Sequence, residues 1–254
     1  MWAGLVDLLY PPICAACNSP GEHLCERCLL QSRRIQPPVC ACCGSPVPPT
    51  GWGRAAVHTR DGRCEACRRH PPAYERARSV FVYEGPIREA IHALKYHGRR
   101  AAAAPLGLLL AQHASADLTQ GVESVVPVPL HPSRLATRGF NQAELLARPL
   151  AARLGVPCLT HAVRRSHHER AQAELDAAAR HASVRDAFCP GPAHVGTRVV
   201  LVDDVFSTGA TAEACAAALK RAGASAVAVL TVARALLRGQ AAMRDAREAD
   251  AQRC

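Results

Sequence analysis

Thirteen residues near the C-terminus, Val199 to Thr211 (VVLVDDVFSTGAT), place two adjacent carboxylates directly before a small, hydroxyl-rich loop. Asp203 and Asp204 can accept hydrogen bonds from vicinal hydroxyls, as on a ribose. Ser207, Thr208, Gly209, Ala210 and Thr211 form the loop, and the Ala-rich run 212–221 predicts a helix stopping at Gly223. Loop N–H groups and the positive end of that helix favour a phosphate dianion, and Gly209 lets the backbone approach it closely. Val199 to Val202 have the uninterrupted apolar composition of a strand buried on both faces of a parallel sheet, so the acids stand at its carboxyl end. The sum is a cradle for a sugar phosphate. No Lys follows the glycine, which excludes a P-loop.

A second chemistry sits at the other end of the chain. Eight of the thirteen cysteines form four C-x-x-C pairs, Cys14/Cys17, Cys25/Cys28, Cys40/Cys43 and Cys64/Cys67. One such turn presents two thiolates, and two turns complete a tetrahedral S₄ site of the kind that holds structural zinc. Pairing first with second and third with fourth is the economical arrangement and gives two zinc ions; spacing alone leaves interleaved pairings open. Cys42 lies beside Cys43, but the spacing from Cys40 selects Cys43 as the ligand. A closed Cys₄ site leaves no open position for catalysis, so the metal's expected role is folding energy. Cys158, Cys189, Cys215 and Cys254 read as isolated small apolar residues or free thiols.

The elements that position these groups follow from composition and periodicity. At 254 residues and 49% apolar content the chain can bury a core, and its formal charge of +10 suits anionic partners. No stretch approaches ~20 apolar residues, and the N-terminus lacks a signal-peptide pattern, so the expectation is a cytoplasmic protein without a membrane span. Pro71 and Pro72 mark a join after the Cys-rich unit. Ser79–Tyr83 predicts a strand, and a helix from Pro86 carries Ile87, Ala90, Ile91 and Leu94 on one face. That helix ends in Lys95, His97, Arg99 and Arg100, where the cations either complement the helix dipole or, for Lys95, reach a phosphate. A second helix covers 101–116. Val125–Pro129 predicts the next buried strand, followed by Arg134 and Arg138 in a loop at the sheet's carboxyl edge, where guanidinium groups suit a pyrophosphate. Asn141 either caps the helix after it or contacts ligand, and Gln142 faces either solvent or ligand. Residues 156–163 and 226–233 predict further strands. The polar segment 164–188, with His161, His167, His168 and His181 in or beside it, shows no metal-ligand spacing.

The Val199–Thr211 segment resembles the PRPP-binding motif of type I phosphoribosyltransferases. The order of a Cys-rich N-terminus, LKYHG, VPVPLHPSRLATRGFNQAELLA and that motif resembles the ComF family, from Tyr10 to about Arg234. The resemblance implies an α/β fold, a type I phosphoribosyltransferase-like mostly parallel sheet flanked by helices (73–238), preceded by a double zinc-ribbon domain (1–72) and followed by a polar tail (239–254). It implies that Asp203 and Asp204 hold the ribose hydroxyls, that Ser207–Thr211 hold the 5′-phosphate, and that Lys95, Arg134, Arg138, Asn141 and Gln142 are candidates for the pyrophosphate, with Mg²⁺ accompanying PRPP. Single-stranded DNA and DNA-uptake proteins are the further partners it implies, in cytosolic handling of imported DNA. Two other readings stand beside it: a nucleotide-salvage transferase with an unknown acceptor, and a non-catalytic scaffold that binds DNA or senses PRPP. Ser207 stands where several purine-salvage relatives have an acid, which argues against a hypoxanthine-guanine type activity. Between 164 and 188, Gln172, Leu175, Arg180, Val184, Ala187 and Phe188 fit the family pattern, while Ser183 replaces an Asn; a hood over the site is the expected role. With 4% aromatic residues, no extended stacking platform is evident.

Overall fold

The computed structural model describes residues 11–47, 61–165 and 187–236. Residues 166–186 of the hood segment and the C-terminal tail lie outside the described residues.

Four parallel strands make the sheet, in the order β1 (Arg76–Val82), β6 (Ala226–Arg234), β5 (Arg198–Phe206), β2 (Ser124–Pro127). Runs such as VVLV and VAVLTVA are apolar at successive positions because both faces of the sheet are covered. Helices α3 (Gly85–Tyr96), α4 (Ala103–His113) and α7 (Gln142–Leu154) cover one face, and Ile87, Ile91, Leu94, Leu106, Leu110, Leu146 and Leu150 share one buried cluster with Val200, Val202 and Leu230. The predicted apolar face of α3 is the buried one. On the other face α8 (Ala210–Arg221) packs Ala214, Ala218 and Leu219 with Val199, Leu201 and Val229. Short helix α5 (Ala116–Thr119) precedes β2, and a two-stranded antiparallel ribbon, β3 (Val163–Arg165) with β4 (Phe188–Pro190), lies beside α8.

Two expectations change. The strand predicted over 156–163 reduces to a single parallel bridge of Cys158 to Val125 before β3 begins at Val163. Arg134 and Arg138 are not in a loop: PSRLATR forms helix α6 (Pro132–Arg138), with Pro132 in the first turn, the His131 side chain accepting from the Ser133 N–H, and Gly139 left-handed at its end. Such a helix buries none of its residues, so apolar periodicity could not announce it.

The Cys-rich unit is a duplication. PICAACNSP (12–20) and PVCACCGSP (38–46) align residue for residue, each followed by a short helix opening at a second cysteine pair, CERC with α1 (Glu26–Leu30) and CEAC with α2 (Glu65–Arg69). Both knuckles close the same way: Cys14 N–H donates to Ser19 and Cys40 N–H to Ser45, each at 2.8 Å, and Asn18 and Gly44 hold the same left-handed backbone. Between the two copies, residues 33–35 run antiparallel along the edge of β1, with Ile35 N–H on the Val80 carbonyl (2.9 Å) and Val82 N–H on the Arg33 carbonyl (2.8 Å). The connector therefore protects a sheet edge. It also carries the chain from one face to the other. Cys14, Ala15, Leu24 and Cys28 join the cluster under α3; Cys40, Cys42, Cys43 and Cys67 join the cluster under α8.

Candidate functional site

The eight paired cysteines gather as two sets, Cys14/Cys17/Cys25/Cys28 and Cys40/Cys43/Cys64/Cys67, with the sulfur atoms of each set within 4.8 Å of one another. Nearest sulfurs stand 3.7 and 3.8 Å apart. A tetrahedral zinc with Zn–S of about 2.3 Å requires S···S separations of about 3.8 Å, so both sets fit structural zinc. The sequential pairing is the one adopted, and Cys43 rather than Cys42 joins the second set. In each set a backbone N–H of the second knuckle donates to the first cysteine's sulfur, Cys25 to Cys14 (3.4 Å) and Cys64 to Cys40 (3.2 Å), which partly neutralises the thiolates. Zinc here supplies folding energy to segments with little core of their own.

The carboxylates lie within β5, which runs on to Phe206, four residues past the end of the apolar run at Val202. Because side chains alternate along a strand, the two acids serve opposite faces. Asp204 shares the face of Val202 and meets α3: Lys95 Nζ stands 2.6 Å from its Oδ1. Asp204 is 3% exposed, and its Oδ2 is buried with no hydrogen-bond partner among the described residues. An orphaned carboxylate oxygen costs free energy unless something donates to it, and a ligand hydroxyl is a donor of the right kind. Burial works against the Lys95 charge, but the Asp204 carboxylate, with Asp203 behind it, outweighs this and holds the ammonium above its usual range. Asp203 accepts the N–H of Asp204 at 2.8 Å, and burial followed by the Asp204 charge pushes its carboxyl up to about 8.

Ser207 to Thr211 turn from β5 into α8. Gly209 is the N-cap at φ 86°, and no side chain caps the helix, which leaves first-turn N–H groups available to an anion. A Cβ at Gly209 would stand 2.7 Å from the Phe206 ring. Ser207, Thr208 and Thr211 are exposed at the rim, and the Thr208 hydroxyl accepts from the Ala210 N–H at 3.4 Å.

Of the other sequence-predicted residues, Arg138 donates to the Gln142 side-chain oxygen and lies 5.6 Å over the ring of Tyr96, the residue after Lys95. Arg134, one turn earlier on α6, is exposed on the same side of the helix. Asn141 caps α7, accepting from Ala143 N–H and donating to the Val128 carbonyl, both at 3.0 Å, so both ends of its amide serve the scaffold. Gln142 is buried rather than solvent-facing. Sequence reasoning missed Arg234 and the packing of Tyr74 and Phe206 beneath the loop. Buried Arg234 ends β6, lies 4.2 Å over the Phe206 ring and donates to the Cys43 carbonyl at 2.9 Å; Tyr74 meets Phe206 edge-on at 6.1 Å. The available signal was an arginine and an aromatic ending two neighbouring apolar strands.

Residues 5–68 match the family model of the double zinc ribbon domain. The DNA utilization protein YhgH of Escherichia coli (strain K12) is 36% identical over 177 residues, covering 68% of this chain and 78% of that protein. Competence protein F of Haemophilus influenzae is 30% identical over 179 residues with the same coverage, 68% and 78%. Among solved structures, glutamine phosphoribosylpyrophosphate (PRPP) amidotransferase from B. subtilis aligns with 26% identity and a TM-score of 0.38 over 52% of this chain and 26% of that one, so this chain spans about a quarter of its length. No described helix is long and apolar enough to cross a membrane. A duplicated zinc ribbon joined to a parallel sheet that ends in paired acids, together with relatives matched over most of their length, shows that the chain belongs to the ComF family, that of YhgH and competence protein F.

Proposed function

We propose that the chain is a PRPP-binding, phosphoribosyltransferase-like protein that works in the cytosol on the handling of imported single-stranded DNA. The observation that carries the ligand reading is the buried, partnerless Oδ2 of Asp204, on the strand that leads into an uncapped helix start at Gly209. In this reading Asp204 Oδ2 accepts a ribose hydroxyl and Asp203 the neighbouring one. The 5′-phosphate takes the N–H groups of the loop and α8's first turn, with hydroxyls from Ser207, Thr208 and Thr211. Lys95, Arg138 and Arg134 face the pyrophosphate, and Gln142 orients Arg138. Mg²⁺ bound with PRPP supplies charge neutralisation at the pyrophosphate. As the C1′–O bond to pyrophosphate lengthens and the acceptor's nucleophile closes on C1′, the sugar gains oxocarbenium character, which the Asp204 carboxylate favours electrostatically, while the cations stabilise the departing pyrophosphate. The names of the relatives, DNA utilization protein and competence protein, support the DNA context.

A second reading, a PRPP-responsive scaffold without transfer chemistry, has one observation in its favour. Ser207 follows the strand without offering a base, and an exposed ring is instead offered by Tyr96, 65% exposed, with Arg138 over it, while Arg100 lies over the ring of partly buried Phe140. Guanidinium and aromatic groups together suit the phosphates and bases of a single strand. Calorimetric titration of the zinc-loaded chain with PRPP and Mg²⁺, beside an Asp203→Ala, Asp204→Ala double variant, tests the shared core of both readings. Binding by wild type and its loss in the variant is expected; no binding by folded wild type overturns both. Pyrophosphate release on adding a nucleobase or oligonucleotide would select transfer, and salt-dependent oligonucleotide binding without release would select the scaffold.

A further inference from the structure

The second zinc ribbon reaches the phosphate loop through a short series of buried contacts. Cys43, a ligand of the second set, offers its backbone carbonyl to Arg234 Nη1 at 2.9 Å. The guanidinium carbon of Arg234 lies 4.2 Å from the centre of the Phe206 ring, and that ring fills the space where a Gly209 side chain would go. Phe206 is held in the backbone as well, its carbonyl accepting the Ala235 N–H at 2.9 Å. From the ribbon's other end, Tyr74 packs edge-on against Phe206, and the Ala73 N–H donates to Glu213 in the first turn of α8 at 2.7 Å. The knuckle is itself locked to the sheet: Ala77 N–H donates to the Cys42 carbonyl at 2.7 Å, and a Cβ at Gly44 would lie 2.3 Å from the Ala77 carbonyl oxygen.

We infer that Arg234 is a positioning residue through which the second zinc ribbon fixes the conformation of the Ser207–Thr211 loop. The physical reason is that a left-handed Gly209 with no side-chain cap has little of its own to hold it, while a ring seated beneath it does. A planar guanidinium can donate in its plane to the knuckle carbonyl and stack its face on that ring at the same time, which an ammonium cannot. The first ribbon also offers a ligand's backbone carbonyl to an arginine, Arg99, whose Nη1 donates to Cys14 at 2.9 Å, but on the α3 face of the sheet, opposite the cluster that holds Phe206. The effect on ligand affinity rests on the PRPP reading; the effect on loop order does not.

The test is amide hydrogen exchange, followed by mass spectrometry on the full zinc-loaded chain, of peptides covering 205–213 in wild type, Arg234→Met and Arg99→Met. Arg234→Met is expected to speed exchange of the loop amides at least tenfold with both zinc ions retained, and Arg99→Met to change it less than twofold. Ribose 5-phosphate affinity should fall about tenfold in Arg234→Met while pyrophosphate affinity stays within twofold. Unchanged loop exchange, or equal acceleration in the two variants, overturns the inference. If Arg234→Met does not fold, Arg234→Lys keeps a donor without the flat stack and should still loosen the loop; a wild-type rate there would equally overturn it. Faster loop exchange in a protein whose wild type binds no ribose 5-phosphate would leave the buttress standing and overturn the ligand reading.

Discussion

The two zinc ribbons share one sequence plan and one internal hydrogen-bond pattern, yet they meet different halves of the site. The first lies against α3, whose last turn carries Lys95 to Asp204; the second lies against β1, β6 and the loop that opens α8. The difference is visible at a single aligned position. Asn18 and Gly44 both adopt positive φ, 61° and 70°, but nothing about the first knuckle demands a missing side chain, whereas Gly44 abuts the backbone of β1. Duplication supplied two equivalent metal modules, and close packing against opposite faces of the sheet made them unequal. Small zinc modules are thereby packed against the elements that carry Lys95, Asp204 and Gly209 instead of standing as independent appendages.

The largest effect should come from the metals. Structural zinc in small modules contributes about 10–16 kcal/mol of apparent binding free energy, so chelation should unfold both ribbons. Cys14→Ser and Cys40→Ser should each reduce the zinc content from two ions to one, measured by elemental analysis, and only Cys40→Ser should loosen the 205–213 amides. Next is Lys95→Met, which leaves the Asp204 charge buried without its cation. We expect a loss of about 3 kcal/mol in urea unfolding, at the low end for a broken buried pair because Lys95 keeps some contact with water. The reciprocal exchange at the aligned knuckle position sharpens the comparison further. Gly44→Asn should cost about 2–3 kcal/mol through the clash with Ala77, while Asn18→Gly should stay within about 0.5 kcal/mol.

A slope rather than a loss is expected from pH. Asp203 has its folded value raised from 3.8 to about 8, so between those values the folded chain binds more protons than the unfolded one. Stability from this group is therefore fully present below the unfolded value and is lost as the pH rises to about 8. The urea midpoint should fall from pH 5 to pH 8, and Asp203→Asn should flatten that fall.

What the sequence made legible was local. Val199 to Thr211 announces strand, acids, loop and helix because each depends on near neighbours, and the four C-x-x-C pairs announce metal knuckles for the same reason. The duplication was equally readable in PICAACNSP and PVCACCGSP, although only the cysteines drew attention. Helix α6 had its signals in Pro132 and Gly139, but without a buried face it had no apolar period to reveal it. Arg234 is the opposite case. Its contact with Cys43 spans 191 residues, and an arginine ending a strand reads in sequence as an ordinary solvent-facing charge. The partnering of Lys95 with Asp204 likewise depends on the tertiary fold, which brings the last turn of α3 to the end of a strand more than a hundred residues later.

In the proposed function Asp204 and the Gly209 helix start form one ligand cradle, with a ribbon against each face of the sheet. A crystal structure of the full zinc-loaded chain with ribose 5-phosphate is the decisive measurement. The phosphate is expected on the N–H groups of residues 209–212 and a ribose hydroxyl within hydrogen-bond distance of Asp204 Oδ2, with Phe206 and Arg234 unmoved. Ligand bound elsewhere, or a saturated crystal with an empty cradle and Asp204 still paired only to Lys95, would contradict it.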